Sequence, residues 1–453
     1  MYKASIRQST IWTIASWMAG ALALCLLCRP TAGQDAPPDK TNDPERWSIH
    51  AQATSVADTH GSFASLYSGA NSLDPRAETK ASLTTTFFLG LRIRKGLDIY
   101  VDPELAGGEG LSHVTGMAGF PNGEITRVTS ATPKPYLARA FIRQTWALGD
   151  EEERIEGDAN QLAGNQPESR LTLIFGKMSV TDIFDTNAYS HDPRGQFMNW
   201  ALMDNGAFDY PADTRGYTWG AALELNQMRW AVRVGSFLVS TYANGLPLDR
   251  HFRTNNGEVG EVELRPKLFG QSGKVKFLAY VNQANMGTYR LALQEMPADP
   301  VVTLTRRPGT VKYGFGLNAE QPLTPNLGVF LRWGWNDGKT ESWEFTEIDR
   351  TGQAGLQWMG KRWGRPKDAV GVAGVMNGLS QDHREYLAAG GHGFIIGDGH
   401  LNYASERILE AYYAWNAVKF TTLTLNYQFA ANPAFNRDRG PVSIWSMRIH
   451  FEF

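Results

Sequence analysis

The chain ends on Trp445–Phe453, WSMRIHFEF. Trp445, Met447, Ile449, Phe451 and Phe453 alternate with Ser446, Arg448, His450 and Glu452. Successive side chains of a strand point to opposite faces, so this segment has one apolar face and one polar face. A soluble sandwich buries such an apolar face. A closed membrane barrel turns it to lipid and turns the polar face to a wet lumen.

The same period of two recurs toward the N-terminus. Leu423, Leu425, Tyr427 and Phe429 alternate with Thr424, Asn426 and Gln428, and Leu409, Ala411, Tyr413 and Trp415 alternate with Glu410, Tyr412 and Ala414. Further runs stand at Val329–Asn336, Thr218–Leu225 and Leu83–Arg92. Each is close to the roughly nine to eleven residues that a tilted strand needs to cross a bilayer. Short connectors, such as Lys95-Gly96, Asn226-Gln227 and Val418-Lys419, alternate with long ones near 102–135, 180–216, 240–257, 284–309 and 378–402. Short turns at one mouth and long loops at the other are the habit of outer-membrane barrels. The pattern predicts an all-β, transmembrane antiparallel barrel of sixteen strands starting near 47, 82, 97, 136, 170, 217, 229, 258, 274, 310, 327, 353, 368, 405, 420 and 442. The strands near 258, 353 and 368 have the weakest alternation, which leaves fourteen or eighteen open. One connector, Gly149 to Ser169, is long where a short turn is expected.

Composition agrees. Only 42% of residues are hydrophobic, yet the chain holds 14 Trp, 16 Tyr, 22 Phe and 46 Gly, as a sheet facing two solvents would. After residue 33 no apolar run approaches the roughly 18 residues of a membrane helix. At the N-terminus, Lys3 and Arg7 precede an uncharged apolar stretch, Ile11 to Leu27, and Thr31-Ala32-Gly33 offers a cleavage site. Residues 1–33 thus read as a secretory signal peptide, 34–46 as a flexible periplasmic tail, and 47–453 as the outer-membrane barrel domain. Cys25 and Cys28, the only cysteines, fall inside the leader, so the mature chain has no thiol chemistry. The net charge of -2 has no basic excess, which excludes nucleic acid as a partner.

Beyond the period, the chain resembles the carbohydrate-selective porins (OprB-type) of Gram-negative outer membranes. The resemblance runs from about Trp47 to Phe453. It rests on Gly110-Leu111-Ser112, Gly119-Phe120-Pro121-Asn122-Gly123-Glu124, Ala140-Phe141-Ile142-Arg143-Gln144-Thr145, Phe175-Gly176-Lys177, and His191-Asp192-Pro193-Arg194 followed by Gln196-Phe197-Met198-Asn199-Trp200. It continues through DTRGYTWG at 213–220, Tyr386-Leu387-Ala388-Ala389-Gly390-Gly391, Ile396-Gly397-Asp398-Gly399, Glu410-Ala411-Tyr412-Tyr413 and Asn432-Pro433. The resemblance implies a sixteen-stranded barrel that passes monosaccharides such as glucose by passive diffusion. The alternative among pores is a general or small-anion-preferring porin. Phe453 is similar to the terminal aromatic by which the barrel assembly machinery recognises its substrates. Outer-membrane lipid and sugars are the remaining expected partners, and the oligomeric state is left between monomer and trimer.

Selectivity lies in width, charge and hydrogen-bonding groups at the narrowest point. By alternation Arg92, Arg94, Arg139, Arg143, Arg233, Arg332 and Arg448 face the lumen, as do Glu224, Glu406, Glu410, Glu452, Phe88 and Tyr412. Both signs are present, which suits neutral solutes, although such charges could equally pair off and stiffen the wall. The connector near 180–216 holds Asp182, Asp185, His191, Asp192, Arg194, Trp200, Asp204, Asp209, Asp213 and Arg215, and reads as a loop folded into the barrel. Asp192, Arg194 and Trp200 either line the constriction or lock this loop to the wall. Glu104, Phe120, Asn122 and Glu124 are next in line. An anion pore would instead show arginines, Arg92, Arg139 and Arg143 above all, clustered without carboxylate partners.

No metal-ligand spacing or nucleotide loop stands out, so no cofactor and no metal are expected, with calcium in the Asp-rich loops left open. An enzyme is not expected. Ser190-His191-Asp192 are adjacent in sequence, and adjacent side chains diverge, which is poor relay geometry. An energised transporter would need a plug domain before the barrel, and an adhesin would need a passenger domain or repeats.

Overall fold

The computed structural model describes residues 44–125 and 130–453. The expected leader at 1–33 and the expected tail as far as residue 43 lie outside the described residues. Sixteen strands close into one barrel in which every neighbour in sequence order pairs antiparallel. They are β1 (Trp47–His60), β2 (Glu78–Arg94), β3 (Leu97–Gly108), β4 (Lys134–Ala147), β5 (Arg170–Met178), β6 (Thr218–Gln227), β7 (Trp230–Phe237) and β8 (Asn256–Leu264). The second half is β9 (Lys274–Met286), β10 (Arg307–Thr324), β11 (Leu327–Asn336), β12 (Arg350–Met359), β13 (Ala369–Gly378), β14 (Glu406–Val418), β15 (Thr421–Ala431) and β16 (Val442–Glu452). The three expected strands with the weakest alternation stand at Asn256, Arg350 and Ala369. The largest shift is at β2, expected near 82 and starting at Glu78.

Closure joins β1 to β16, from Gln52 opposite Glu452 to His60 opposite Ile444. Phe453 extends it: its amide donates to the Ala51 carbonyl at 3.1 Å and its carbonyl accepts from the Ala51 amide at 3.0 Å. Closing the sheet removes its edges, which is the condition for strands to cross lipid. On β16, Trp445 and Met447 face outward and exposed, whereas Ser446, Arg448 and His450 are buried on the inner face. Four two-residue turns join strands at one mouth, as at Lys95-Gly96, where Gly96 takes a positive φ of 78° beside the Thr145 carbonyl. At the other mouth long loops follow β1, β2's partner β3, β5 and each later ascending strand.

The longest of these loops, 179–217, does not stand out in solvent. The main apolar cluster of the protein lies inside the barrel, where Phe197, Trp200, Phe208 and Tyr210 from the loop 179–217 pack against Tyr280, Phe330 and Tyr412 of the wall and Phe345 of the loop 337–349. The barrel interior therefore divides. Its β9–β15 side is filled by loop, and its β1–β4 side stays open. The expectation of external loops folded into the lumen holds, and the connector 148–169 enters from the opposite mouth as well.

Candidate functional site

The loop 179–217 is held inside by charged groups of the wall acting on its backbone. Glu410 on β14 accepts from the amides of Met198 (2.7 Å) and Asn199 (3.0 Å). Glu406 accepts from Ala118 (3.0 Å) and Gly119 (2.7 Å) of the loop 109–133. Arg332 on β11 donates to the carbonyls of Leu202 (3.1 Å), Asp185 (3.0 Å) and Ser190 (2.6 Å) and pairs with the Asp185 carboxylate at 3.1 Å. Arg448 on β16 donates to Pro193 and Gln196 carbonyls. A loop carried inside a barrel hides backbone polar groups from water, and each must find a partner. Inward charges supply these partners. Asn199 caps the short helix Trp200–Met203 by accepting from the Ala201 amide and ties it to the Gly119 carbonyl and Gln428.

What remains open is a chamber of about 730 Å³ between this loop and the inner face of β1–β4. Five basic side chains (Lys134, Arg139, Arg143, Arg194, Arg215) and six acidic ones (Glu104, Glu124, Asp158, Asp182, Asp192, Glu452) line it, so its charge is nearly balanced. The balance is local as well. Arg139 makes a two-pronged contact with Asp182, Nε to Oδ2 at 2.6 Å and Nη2 to Oδ1 at 2.7 Å, and lies 3.6 Å from Asp102. Arg194 reaches from its loop to Glu124 of the loop 109–133 (2.8 Å) and to Glu104 (3.0 Å) and Thr86 (3.2 Å) of the wall. Forked pairs of this kind fix geometry as well as charge. Around them stand rings: Arg139 lies over Tyr217 at 5.1 Å, Arg215 over Tyr136 at 4.2 Å and Arg143 over Tyr100 at 4.9 Å. The Tyr136 hydroxyl donates to Glu104, and that of Tyr217 does so at 3.3 Å.

The residues expected at the site divide accordingly. Arg139, Arg143, Asp192, Arg194 and Trp200 border the chamber. Trp200 does so by an edge only, because it is stacked on Phe120 (5.1 Å, 14°) and packed on Phe345, and is 4% exposed. The other six do not border it, and for the buried Arg332, Glu410 and Tyr412 this corrects the reading of them as pore lining. Arg332 and Glu410 have no exposed surface, since the loop covers them. Tyr412 is covered by Phe197 and accepts from Gln357. Glu224 pairs with Arg233 at 2.6 Å in a wall cluster with Glu261 and Glu263. Arg92 pairs with Asp98 and Arg94 donates to Gln144, both at the short-turn mouth.

Tyr136 and Tyr217 are chamber residues that alternation missed. Counting back from Arg139 by twos puts Leu137 inside and Tyr136 outside. The β3–β4 register slips between Asp102 and Pro103, with Ala138 as the extra residue, and the parity of β4 reverses there. Tyr217 sits in a loop, where no period applies. Its signal was its place in the DTRGYTWG segment.

The adjacent Ser190-His191-Asp192 forms no relay. Ser190 is buried and donates to the Leu202 carbonyl, and His191 meets Asp204 at 3.1 Å. Burial works against a charged His191, but the hydrogen bond and charge of Asp204 outweigh it and hold its pKa above 6.5. A raised folded-state value means that this pair's contribution to stability is complete below about pH 6.5 and is lost as pH rises through the folded-state pKa. The mutant His191→Gln is expected to lose that part of the pH dependence. Heat-modified gel mobility measured from pH 5 to 9 checks this, and parallel curves for mutant and parent would refute it.

A family profile described as "Carbohydrate-selective porin, OprB family" matches residues 76–453. Among solved structures, the high-pH structure of Pseudomonas putida OprB is similar to the chain with a TM-score of 0.68 at 17% identity, over 90% of this chain and 94% of that one. The low-pH structure of Pseudomonas putida OprB matches with a TM-score of 0.48 at 13% identity, over 90% and 93%. The outer membrane channel DcaP of Acinetobacter baumannii matches with 0.49 at 9%, over 90% and 97%. At 17% identity the first of these is a likeness of fold. No curated protein matches the chain.

Proposed function

The chain belongs to the carbohydrate-selective porin family of the outer membrane, and on that premise we propose that it passes monosaccharides such as glucose by passive diffusion through the chamber bounded by Arg139, Arg143, Arg194, Tyr136 and Tyr217. The observation that supports this reading most is the near balance of the chamber's charges, with Arg139 and Arg194 held in ion pairs. Of the three arginines whose isolation would mark an anion pore, Arg92 is paired with Asp98 and Arg139 with Asp182, while Arg143 donates to the Asn160 carbonyl and lies over a ring. A sugar is neutral and bears many hydroxyls, each able to donate and accept. Paired guanidinium and carboxylate edges offer both roles side by side without a net field to concentrate ions.

Asp192, which also borders the chamber, accepts from the Arg194 amide at 2.9 Å and is exposed. Residues 1–33 act as the secretory leader in this reading, and Phe453, paired at the barrel seam, is the contact for the assembly machinery.

Liposome swelling with the purified protein tests the proposal. Glucose is expected to enter faster than an amino acid of similar size and charge-neutral form, with a disaccharide slower than both. Entry by size alone, or fastest entry of a small anion, would replace this reading with that of a general or anion-preferring porin.

A further inference from the structure

The long connector between β4 and β5 is not a surface insertion. After Ala147 the chain forms a hairpin, Glu152–Ile155 paired with Gly164–Pro167, and its tip turns up into the barrel. Leu162 is fully buried there, packed with Tyr100, Phe141 and Ile174 of the strand wall. The wall has a socket for it: Gly90 on β2 faces this spot, and a Cβ at Gly90 would come 3.3 Å from Leu162 and 3.2 Å from Tyr100. Asn160 sits at the tip with a positive φ of 55°. Its side chain donates to Asp102 at 2.8 Å, and its carbonyl accepts from Arg143 at 2.9 Å. Arg92 donates to the Ala163 carbonyl, and the Ala163 amide donates to Glu45 at 2.8 Å, so the chain segment just before β1 straps the connector down.

Two features set this apart from a tolerated loop. Residues 158–161 line the same chamber as Arg139 and Arg194, on the side away from the loop 179–217. Asp102 also joins the two inward segments through one arginine, as it accepts from Asn160 and stands 3.6 Å from Arg139, which grips Asp182 of the opposite loop. We propose that the connector 148–169 is a second selectivity element, entering from the periplasmic mouth, whose tip forms the inner wall of the solute path. The pore is then narrowed from both ends toward one shared arginine. Width at the inner wall discriminates by solute size, and the tip's amide and carbonyl groups meet the hydroxyls of a passing sugar. The inference rests on the chamber being the solute path.

The test is planar-bilayer conductance in salt, which does not depend on any sugar preference. Excising Glu151–Glu168, so that Asp150 joins Ser169, is expected to raise single-channel conductance roughly twofold, by removing one wall of the narrowest section. The same change is expected to speed disaccharide entry relative to glucose. A second variant guards against misfolding of the first. In a mature chain without other cysteines, Ala159→Cys treated with a positively charged methanethiosulfonate is expected to lose conductance on labelling. An excised barrel with the parent's conductance, or a labelled Ala159→Cys with unchanged current, would overturn the proposal. Parent protein that conducts but shows no sugar preference would instead count against the function proposed above, leaving the connector's effect on conductance to be read independently.

Discussion

Arg194→Ala is expected to turn a nearly neutral chamber into a cation-selective one and to slow sugar entry. Arg194 is the one described cation within ion-pair distance of either Glu104 or Glu124, at 3.0 and 2.8 Å. All three side chains are largely buried, with 12%, 2% and 8% exposed. Removing one partner of such a cluster leaves the carboxylates uncompensated, a change on the order of 3–5 kcal/mol in comparable buried pairs. The chamber can answer in two ways, by drawing in a counter-ion or by releasing the arm of the loop that Arg194 holds. Both favour cations over neutral solutes. The reversal potential in a KCl gradient should move toward the potassium potential, and glucose swelling rates should fall. Arg194→Lys should restore part of the charge balance but not the three-way contact, since an ammonium is a point charge without the guanidinium fork. An unchanged reversal potential in Arg194→Ala would mean that these glutamates do not face the conducting path.

The second large effect is on stability of the inner loop. Arg332→Met removes a fully buried guanidinium while keeping most of the side-chain volume. It takes away the ion-pair partner of Asp185 and the donor to three loop carbonyls, at Asp185, Ser190 and Leu202. Asp185 keeps amide donors, Asn205 and Asn318, but no described cation. Breaking a buried pair in this way costs about 3–5 kcal/mol. The cost falls on the loop and not on the sheet, because the strand ladder of β11 with β10 and β12 does not use the Arg332 side chain. The mutant should therefore insert as a heat-modifiable barrel yet show larger, noisier conductance and weakened size discrimination. Asp185→Asn in the same background should recover part of the loss by removing the stranded charge. A mutant with the parent's conductance and noise would show that the loop is held well enough by Glu410, Arg448 and the aromatic cluster alone.

These two arginines look alike in the sequence. Arg332 sits at an inward position of a strand and Arg194 in a charge-rich loop, and both were candidates to line the pore. The structure makes one an anchor and the other a wall of the chamber. The same division separates Glu410 from Glu104, both inward-facing strand glutamates. Glu410 binds two loop amides and Glu104 binds Arg194 and two tyrosine hydroxyls. Inward orientation was legible. Coverage was not, because it depends on where a loop from a different part of the chain comes to rest.

The sequence by itself determined the barrel. Its period of two and the alternation of short and long connectors are local properties, and within an unbroken strand local geometry sets which way each side chain points. Three things were decided only by tertiary structure. The slip at Ala138, which turned Tyr136 into the chamber, arises from the fit of β4 to β3 and leaves no mark on hydrophobicity. The filling of the β9–β15 half of the lumen follows from apolar loop residues burying themselves against the wall, with inward charges satisfying their backbone. The entry of the connector 148–169 depends on a socket made by Gly90, Tyr100 and Phe141, residues on three different strands. A pattern along one strand reports its faces. Which part of a face is left open to a solute is a property of distant segments meeting, and no single segment encodes it.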